Sequence, residues 1–184
     1  MIVNTVTTPI GARIFLIDNF FEAELLVKVR ELFKGFSGKQ DNGWKNPDWT
    51  SKRYIYQGTD SNFLELKKYV QSTECVSQLE SLLGNVKISN TGLDLWIDLP
   101  GFGPLAPHFE NEGSIYISQI YISDKDYPNN GTTIYTDDKQ ILFQLPFRDN
   151  FGWFFDKGYT VMHGRINDVE PENRYSVMLW YSPT

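Results

Sequence analysis

The period of the apolar positions changes along the chain. Ala12 to Ile17 reads as a short strand, after which Asp18 and Asn19 offer helix caps and Glu22 stands three residues past Asn19, as a capping-box partner would. Phe21, Leu25, Val29, Leu32, Phe33 and Phe36 recur at helical spacing, with Glu24, Lys28, Glu31 and Lys34 opposite them, so a helix is expected from Asn19 with one face covering something apolar. Gly35 to Gly58 scatters Trp44, Trp49, Tyr54 and Tyr56 among Gly, Asn, Pro and Asp, and reads as a long loop entering a strand near Tyr54. A second amphipathic pattern follows from Ser61 to Leu83 through Phe63, Leu66, Val70, Val76, Leu79 and Leu83. Ser72 and Thr73 are placed to cap a new turn, and Gly84-Asn85 to stop the helix.

Beyond that point short aromatic or β-branched runs take over. Leu93 to Leu99, Ser114 to Ser123, Thr132 to Thr136, Gln140 to Phe147, Gly152 to Asp156, Thr160 to His163 and Arg174 to Tyr181 are punctuated by turn residues and read as strands. A run of strands after helices predicts a mostly β fold, an antiparallel sandwich or jelly roll with the helices backing one sheet.

Composition narrows the class. At 184 residues, with 41% hydrophobic and 22% charged side chains, the chain has the makings of one folded domain and lacks the signature of disorder. Aromatics at 15% strengthen the β reading, because rings suit half-buried pleated surfaces. A formal net charge of −6 repels phosphate backbones, so nucleic acid is not the expected partner. The one cysteine, Cys75, cannot close an internal disulfide, which fits a reducing compartment. The start, Met1 to Phe21, has neither a basic segment followed by an apolar stretch nor a membrane span, so a cytoplasmic protein without membrane attachment is expected.

Both histidines, His108 and His163, fall in the strand-rich half. In extended backbone, side chains two apart share a face, so His108 and Glu110 can converge on one ion, and His163 is the remaining imidazole, followed by a glycine that leaves space beside it. Two imidazoles and a carboxylate on one octahedral face suit non-haem Fe(II) working with dioxygen. The competing reading is two ordinary histidines with no metal. On the last strand, Arg174, Ser176, Met178 and Trp180 share one face, and Tyr175, Val177, Leu179 and Tyr181 the other. Both faces are mostly apolar, so the strand should be central. An arginine buried there needs an anion, and its planar fork with the Ser176 hydroxyl nearby suits a carboxylate of a ligand or of one of the chain's own acids.

In order and spacing, His108-x-Glu110, His163 and Arg174-x-Ser176 resemble the 2-oxoglutarate and Fe(II)-dependent dioxygenases, most closely the prolyl-hydroxylase branch. Leu99-Pro100-Gly101 with Gly103 before the His-x-acid pair, Tyr121-Ile122-Ser123, the Asn130-Gly131-Thr132 turn, and Arg174-Tyr175 with Trp180-Tyr181 are similar to that branch over about residues 93–181. Asn19-Phe20-Phe21 resembles the entry to its N-terminal support helix.

The resemblance implies a double-stranded β-helix (jelly roll) as a single domain over 1–184, with helical support over 18–84 and a core over about 93–182. It implies Fe(II) on His108, Glu110 and His163, and 2-oxoglutarate on Arg174, with help from Ser176 and the Tyr121 hydroxyl. It also allows ascorbate. The implied reaction takes dioxygen and hydroxylates an aliphatic C–H, foremost of a prolyl or other residue in a peptide or protein, with release of succinate and CO2. A free amino acid or other small molecule is the alternative substrate. The chain departs from the pattern with Glu110 in place of the usual Asp, with Leu99 where some prolyl hydroxylases carry a cosubstrate-binding tyrosine, and with Arg174 where the branch often has Lys. Trp180 stands where nucleic-acid demethylases of this superfamily place a second arginine, which agrees with the acidic balance in arguing against that substrate. Two other readings stay open: a non-catalytic metal-binding jelly-roll module, and a zinc hydrolase, which leaves Arg174 and Ser176 without a role. Trp44, Trp49, Lys52, Arg53 and Tyr54 read equally as a substrate-covering loop and as packing.

Overall fold

The computed structural model describes residues 2–35, 44–45 (backbone only), 52–109, 116–128, 130–155, 161–167, 169 and 172–184. Among them lie twelve strands and three helices. In chain order these are β1 (Ile2–Thr7), β2 (Arg13–Asp18), α1 (Ala23–Lys34), β3 (Trp44–Lys45), β4 (Arg53–Tyr56), α2 (Ser61–Val70), α3 (Thr73–Leu82) and β5 (Ile88–Asp98). They continue with β6 (Leu105–His108), β7 (Tyr116–Ile122), β8 (Thr133–Tyr135), β9 (Ile141–Gln144), β10 (Phe151–Phe155), β11 (His163–Arg165) and β12 (Arg174–Pro183). The strands form an eight-stranded sheet, ordered β1-β2-β10-β7-β12-β5-β4-β3, and a four-stranded sheet, ordered β6-β11-β8-β9, with every pairing antiparallel. The expected mostly β jelly roll is present, and no helix among the described residues is long and apolar enough to cross a membrane.

The large sheet separates two apolar layers. On one face, Leu95, Ile97, Ile120, Val177 and Leu179 pack with Leu25, Val29, Phe63, Leu66 and Leu79 of the helices. On the other, Ile14, Ile117, Tyr121, Phe151, Trp153 and Phe155 pack with Ile134, Leu145, Phe147 and Val161. Each fully buried large side chain contributes about 1.5 to 3 kcal/mol, so the helices hold the large sheet flat against one core while its opposite face stays available to the small sheet. The strand β12 lies between β7 and β5, and its two faces divide as its alternation predicts: Val177, Leu179 and Tyr181 go to the helices, and Arg174, Ser176 and Met178 to the other side.

The helix expected from Asn19 starts later, at Ala23. Asn19 takes a left-handed φ of 54°, and Phe20 and Phe21 drive into the core at 1% and 2% exposure. The Asn150 side chain fixes that segment, accepting from Phe21 N–H at 2.9 Å and donating to its carbonyl at 2.8 Å. A buried aromatic pair held by an amide two-point contact outweighs the local capping signal. The interruption at Ser72 is real. Its hydroxyl accepts from Cys75 N–H, as the Asp60 carboxylate does from Phe63 N–H at the start of α2, and Gly84 and Asn85 end α3 at φ 76° and 68°. Of the strand read at Thr160–His163, Thr160 lies outside the described residues; β11 opens at His163 and runs to Arg165, and β6 ends at His108, in the segment read as extended.

Candidate active site

Two strands of the small sheet carry the histidines. His108 ends β6 and His163 opens β11, and the two are direct partners in the antiparallel register, with ring centroids 4.6 Å apart. The glycine after His163 does not leave space for a ligand. A Cβ at Gly164 would meet the Leu105 and Ala106 carbonyl oxygens at 2.6 and 3.0 Å, so its absence is what lets β6 lie close enough for the rings to meet. Each ring is oriented in the same way. Nδ1 of His108 lies 2.8 Å from the Ala106 carbonyl, and Nδ1 of His163 lies 3.0 Å from that of Val161. A carbonyl only accepts, so each Nδ1 carries a proton, and Nε2 is the ring atom left to bind a metal.

The rings line a cavity of about 590 Å³ whose walls are Trp96, Leu105, Ala106, Trp153 and Met178. Glu110 lies outside the described residues. Among the described residues no group of three His, Cys, Asp or Glu side chains could hold a metal ion, and the two imidazoles are the donors that these residues bring to the cavity. Two imidazoles oriented through Nδ1 are a donor set that fits a divalent transition metal.

Three guanidiniums, those of Arg53, Arg165 and Arg174, line the same cavity, and a buried carboxylate lies among them. Asp98 on β5 is opposite Arg174 on β12 and opposite Arg53 on β4, so three adjacent strands bring one carboxylate between two guanidiniums. Arg53 takes Asp98 with Nε at 2.5 Å and Nη2 at 2.9 Å, and is held between the Trp96 and Phe102 rings, 4.1 and 4.3 Å from their centroids. Arg174 donates from Nη1 to Asp98 Oδ2 at 2.8 Å, from Nε to the Asn130 carbonyl at 2.9 Å and from Nη2 to Gln119 Oε1 at 3.2 Å. Arg165, two residues past His163, brings a third guanidinium, its Nη1 3.7 Å from the same Oδ2. Burial alone would push the Asp98 carboxyl upward, but Arg53, Arg174 and Arg165 together hold it below its usual value. Burial, and then repulsion from Arg174, press the Arg165 guanidinium down to about 9 against the pull of Asp98.

The anion that Arg174 requires is thus met in part by the chain itself. Ser176 is fully buried and its hydroxyl accepts from Gln119 Nε2 at 2.9 Å. Tyr121 is fully buried, and its hydroxyl accepts from Thr132 N–H and from Trp153 Nε1, each at 2.9 Å. That leaves its proton for Thr132 Oγ1 at 2.7 Å, which in turn donates to Gln119 Oε1 at 3.3 Å. Tyr121 and Ser176 therefore stand behind the cavity and orient Gln119 and Thr132, which line it. Of the residues singled out from the sequence, His108, His163 and Arg174 meet in one cavity, and Arg53, read as part of a loop, joins them. Asp98, Arg165 and Gln119 were not singled out, and Thr132 was read only as part of the Asn130-Gly131-Thr132 turn. Arg165 could have been found from His163-Gly164-Arg165, since positions two apart on a strand share a face.

Solved structures share this architecture. A prolyl hydroxylase from Trichoplax adhaerens, in complex with a hypoxia inducible factor oxygen degradation domain peptide fragment, aligns with a TM-score of 0.64 at 19% identity over 92% of this chain and 83% of that one. The fold is that of the jelly-roll oxygenases. A prolyl 4-hydroxylase from Phytophthora capsici aligns with a TM-score of 0.70 at 14% identity over 93% of this chain, which spans only 59% of the larger protein. HygX from Streptomyces hygroscopicus, with nickel, 2-oxoglutarate and hygromycin B bound, aligns with a TM-score of 0.63 at 11% identity over 93% of this chain and 83% of that one. No family model and no curated protein matches the chain.

Proposed function

We propose that this chain is a 2-oxoglutarate- and Fe(II)-dependent dioxygenase, a single domain over 1–184 that hydroxylates an aliphatic C–H, foremost of a prolyl or other residue in a peptide or protein. The observation that carries the reading is the meeting, in one cavity, of two imidazoles each anchored through Nδ1 and a buried cluster of guanidiniums. A metal alone would need only the first, and a structural ion pair only the second. A dicarboxylic acid that chelates a metal at one end needs both.

In this reading His108, His163 and Glu110 hold Fe(II), and Arg174 receives the far carboxylate of 2-oxoglutarate. Bound iron and cosubstrate supply the activation of dioxygen, with succinate and CO2 as co-products. The chain's own part is placement. The carbonyls of Ala106 and Val161 anchor both imidazoles through Nδ1, Gln119 is steadied by Thr132, Ser176 and Arg174, and Tyr121 locks Thr132. Trp153, Trp96 and Met178 give the cavity apolar walls, and charged contacts beside them are stronger than in open water.

The peptide in the Trichoplax structure supports a peptide or protein substrate, while hygromycin B in HygX supports a free small molecule as the second reading. Mass spectrometry of incubations with proline-containing peptides and with free amino acids separates them. A peptide product heavier by one oxygen atom, formed only with Fe(II), 2-oxoglutarate and air together, is the expected result. Modification of free amino acids alone would move the assignment to the small-molecule reading.

A further inference from the structure

Arg165 lines this cavity, and the reading above gives it no role. It is 2% exposed, yet its Nε and Nη1 have no hydrogen-bond partner among the described residues. Its Nη2 is committed to the Phe102 carbonyl, and its guanidinium carbon lies 4.9 Å from the centre of the Phe102 ring. Arg165 lines the same cavity, with Nε and Nη1 covered at its wall. The Nη1 atoms of Arg165 and Arg174 lie 3.7 and 2.8 Å from the same oxygen of Asp98, so the two guanidiniums are close enough for one further carboxylate to touch both. Asp98 is already taken bidentately by Arg53. A buried donor pair without an acceptor, beside a second buried cation, is stabilised when an anion arrives and costly until then.

We propose that Arg165 and Arg174 form a two-guanidinium clamp for one carboxylate of a dicarboxylic acid, with Arg165 providing the vacant donors. The proposal rests on the cavity being the cosubstrate site argued above, and adds Arg165 as a positioning residue that sets cosubstrate affinity. A clamp of this kind favours an acid whose far end is a planar carboxylate over one ending in an amide or alcohol, because only the carboxylate accepts from both forks.

Glutarate tests it, because that dicarboxylate lacks the keto group and its binding can be followed with EDTA present. Isothermal titration of the full chain is expected to show glutarate binding that weakens about 10- to 100-fold in Arg165→Met and by a smaller factor in Arg165→Lys, which keeps the charge but loses the fork. With iron, Arg165→Met is expected to raise the KM for 2-oxoglutarate while kcat changes little. Glutarate is expected to raise the melting temperature of the wild type, and that gain to vanish in Arg165→Met. Wild-type glutarate affinity in Arg165→Met overturns the clamp, as does wild-type affinity in Arg165→Lys where the Met variant does not fold. Absence of glutarate binding to the wild-type chain overturns it too. The two ideas fail separately. Glutarate binding through Arg165 with no succinate formed would leave the clamp standing and remove the oxygenase, whereas succinate formation with an unchanged KM in Arg165→Met would do the reverse.

Discussion

His108 and His163 face each other across the β6–β11 pair with ring centroids 4.6 Å apart, and the close approach depends on the bare Cα of Gly164. Gly164→Ala places a methyl group 2.6 Å from the Leu105 carbonyl oxygen, and backbone on both sides must move. The expected result is a loss of about 1 to 3 kcal/mol in stability, the usual range for overpacking, together with weaker metal binding as the rings separate. Urea denaturation and metal titration of the variant measure both.

Asp98 is fully buried among Arg53, Arg165 and Arg174, so removing its charge leaves guanidiniums facing one another. Asp98→Asn is expected to destabilise the protein by about 3 to 5 kcal/mol, as when one partner of a buried ion pair is deleted. The pH dependence follows from the same cluster. With its folded pKa held below the unfolded value of about 3.9, Asp98 contributes stability that is fully present above that value and is lost as pH falls through the folded one. Denaturation midpoints of the wild type should therefore fall on acidification below about pH 4, and those of Asp98→Asn should fall less.

Arg174 donates to Asp98, Asn130 and Gln119 and still faces the cavity. Arg174→Ala is expected to raise the 2-oxoglutarate requirement by about one to two decades, the value of a bidentate charged contact of roughly 1.5 to 3 kcal/mol. Metal content should stay near that of the wild type. Parallel loss of metal would make the residue structural instead.

Cys75 sits in the helix-backed core at 1% exposure, and burial, with Glu74 adding to it, pushes its thiol up to about 12. A thiol that stays protonated and covered is inert. Labelling by a thiol reagent at pH 8 should follow the rate of global unfolding, and fast labelling of the native protein would mean that α3 opens locally.

Much of the fold was legible because its signals are local. The alternation of Arg174 to Tyr181 marks a strand with two buried faces, and Ser72 and Gly84-Asn85 punctuate the helices through side-chain and backbone preferences that act within a few residues. What was not legible depends on register. Asp98 meets Arg53 and Arg174, 45 and 76 positions away, only because β5 lies between β4 and β12, and nothing near Leu99 announces that pairing. Tyr121 reads as a residue for the ligand, but its hydroxyl makes all three of its hydrogen bonds to Thr132 and Trp153, a saturation visible only once β7, β8 and β10 are stacked. The start of α1 moved because the Asn150 contact to Phe21 comes from a strand end 129 positions away.

The most direct test of the account is aerobic succinate formation from 2-oxoglutarate with added Fe(II), measured side by side for the wild type and His163→Ala. Turnover by the wild type that disappears in the variant, with folding intact, is the predicted result. Equal succinate yields from the two proteins would contradict it, since the imidazole opposite His108 would then have no part in the chemistry.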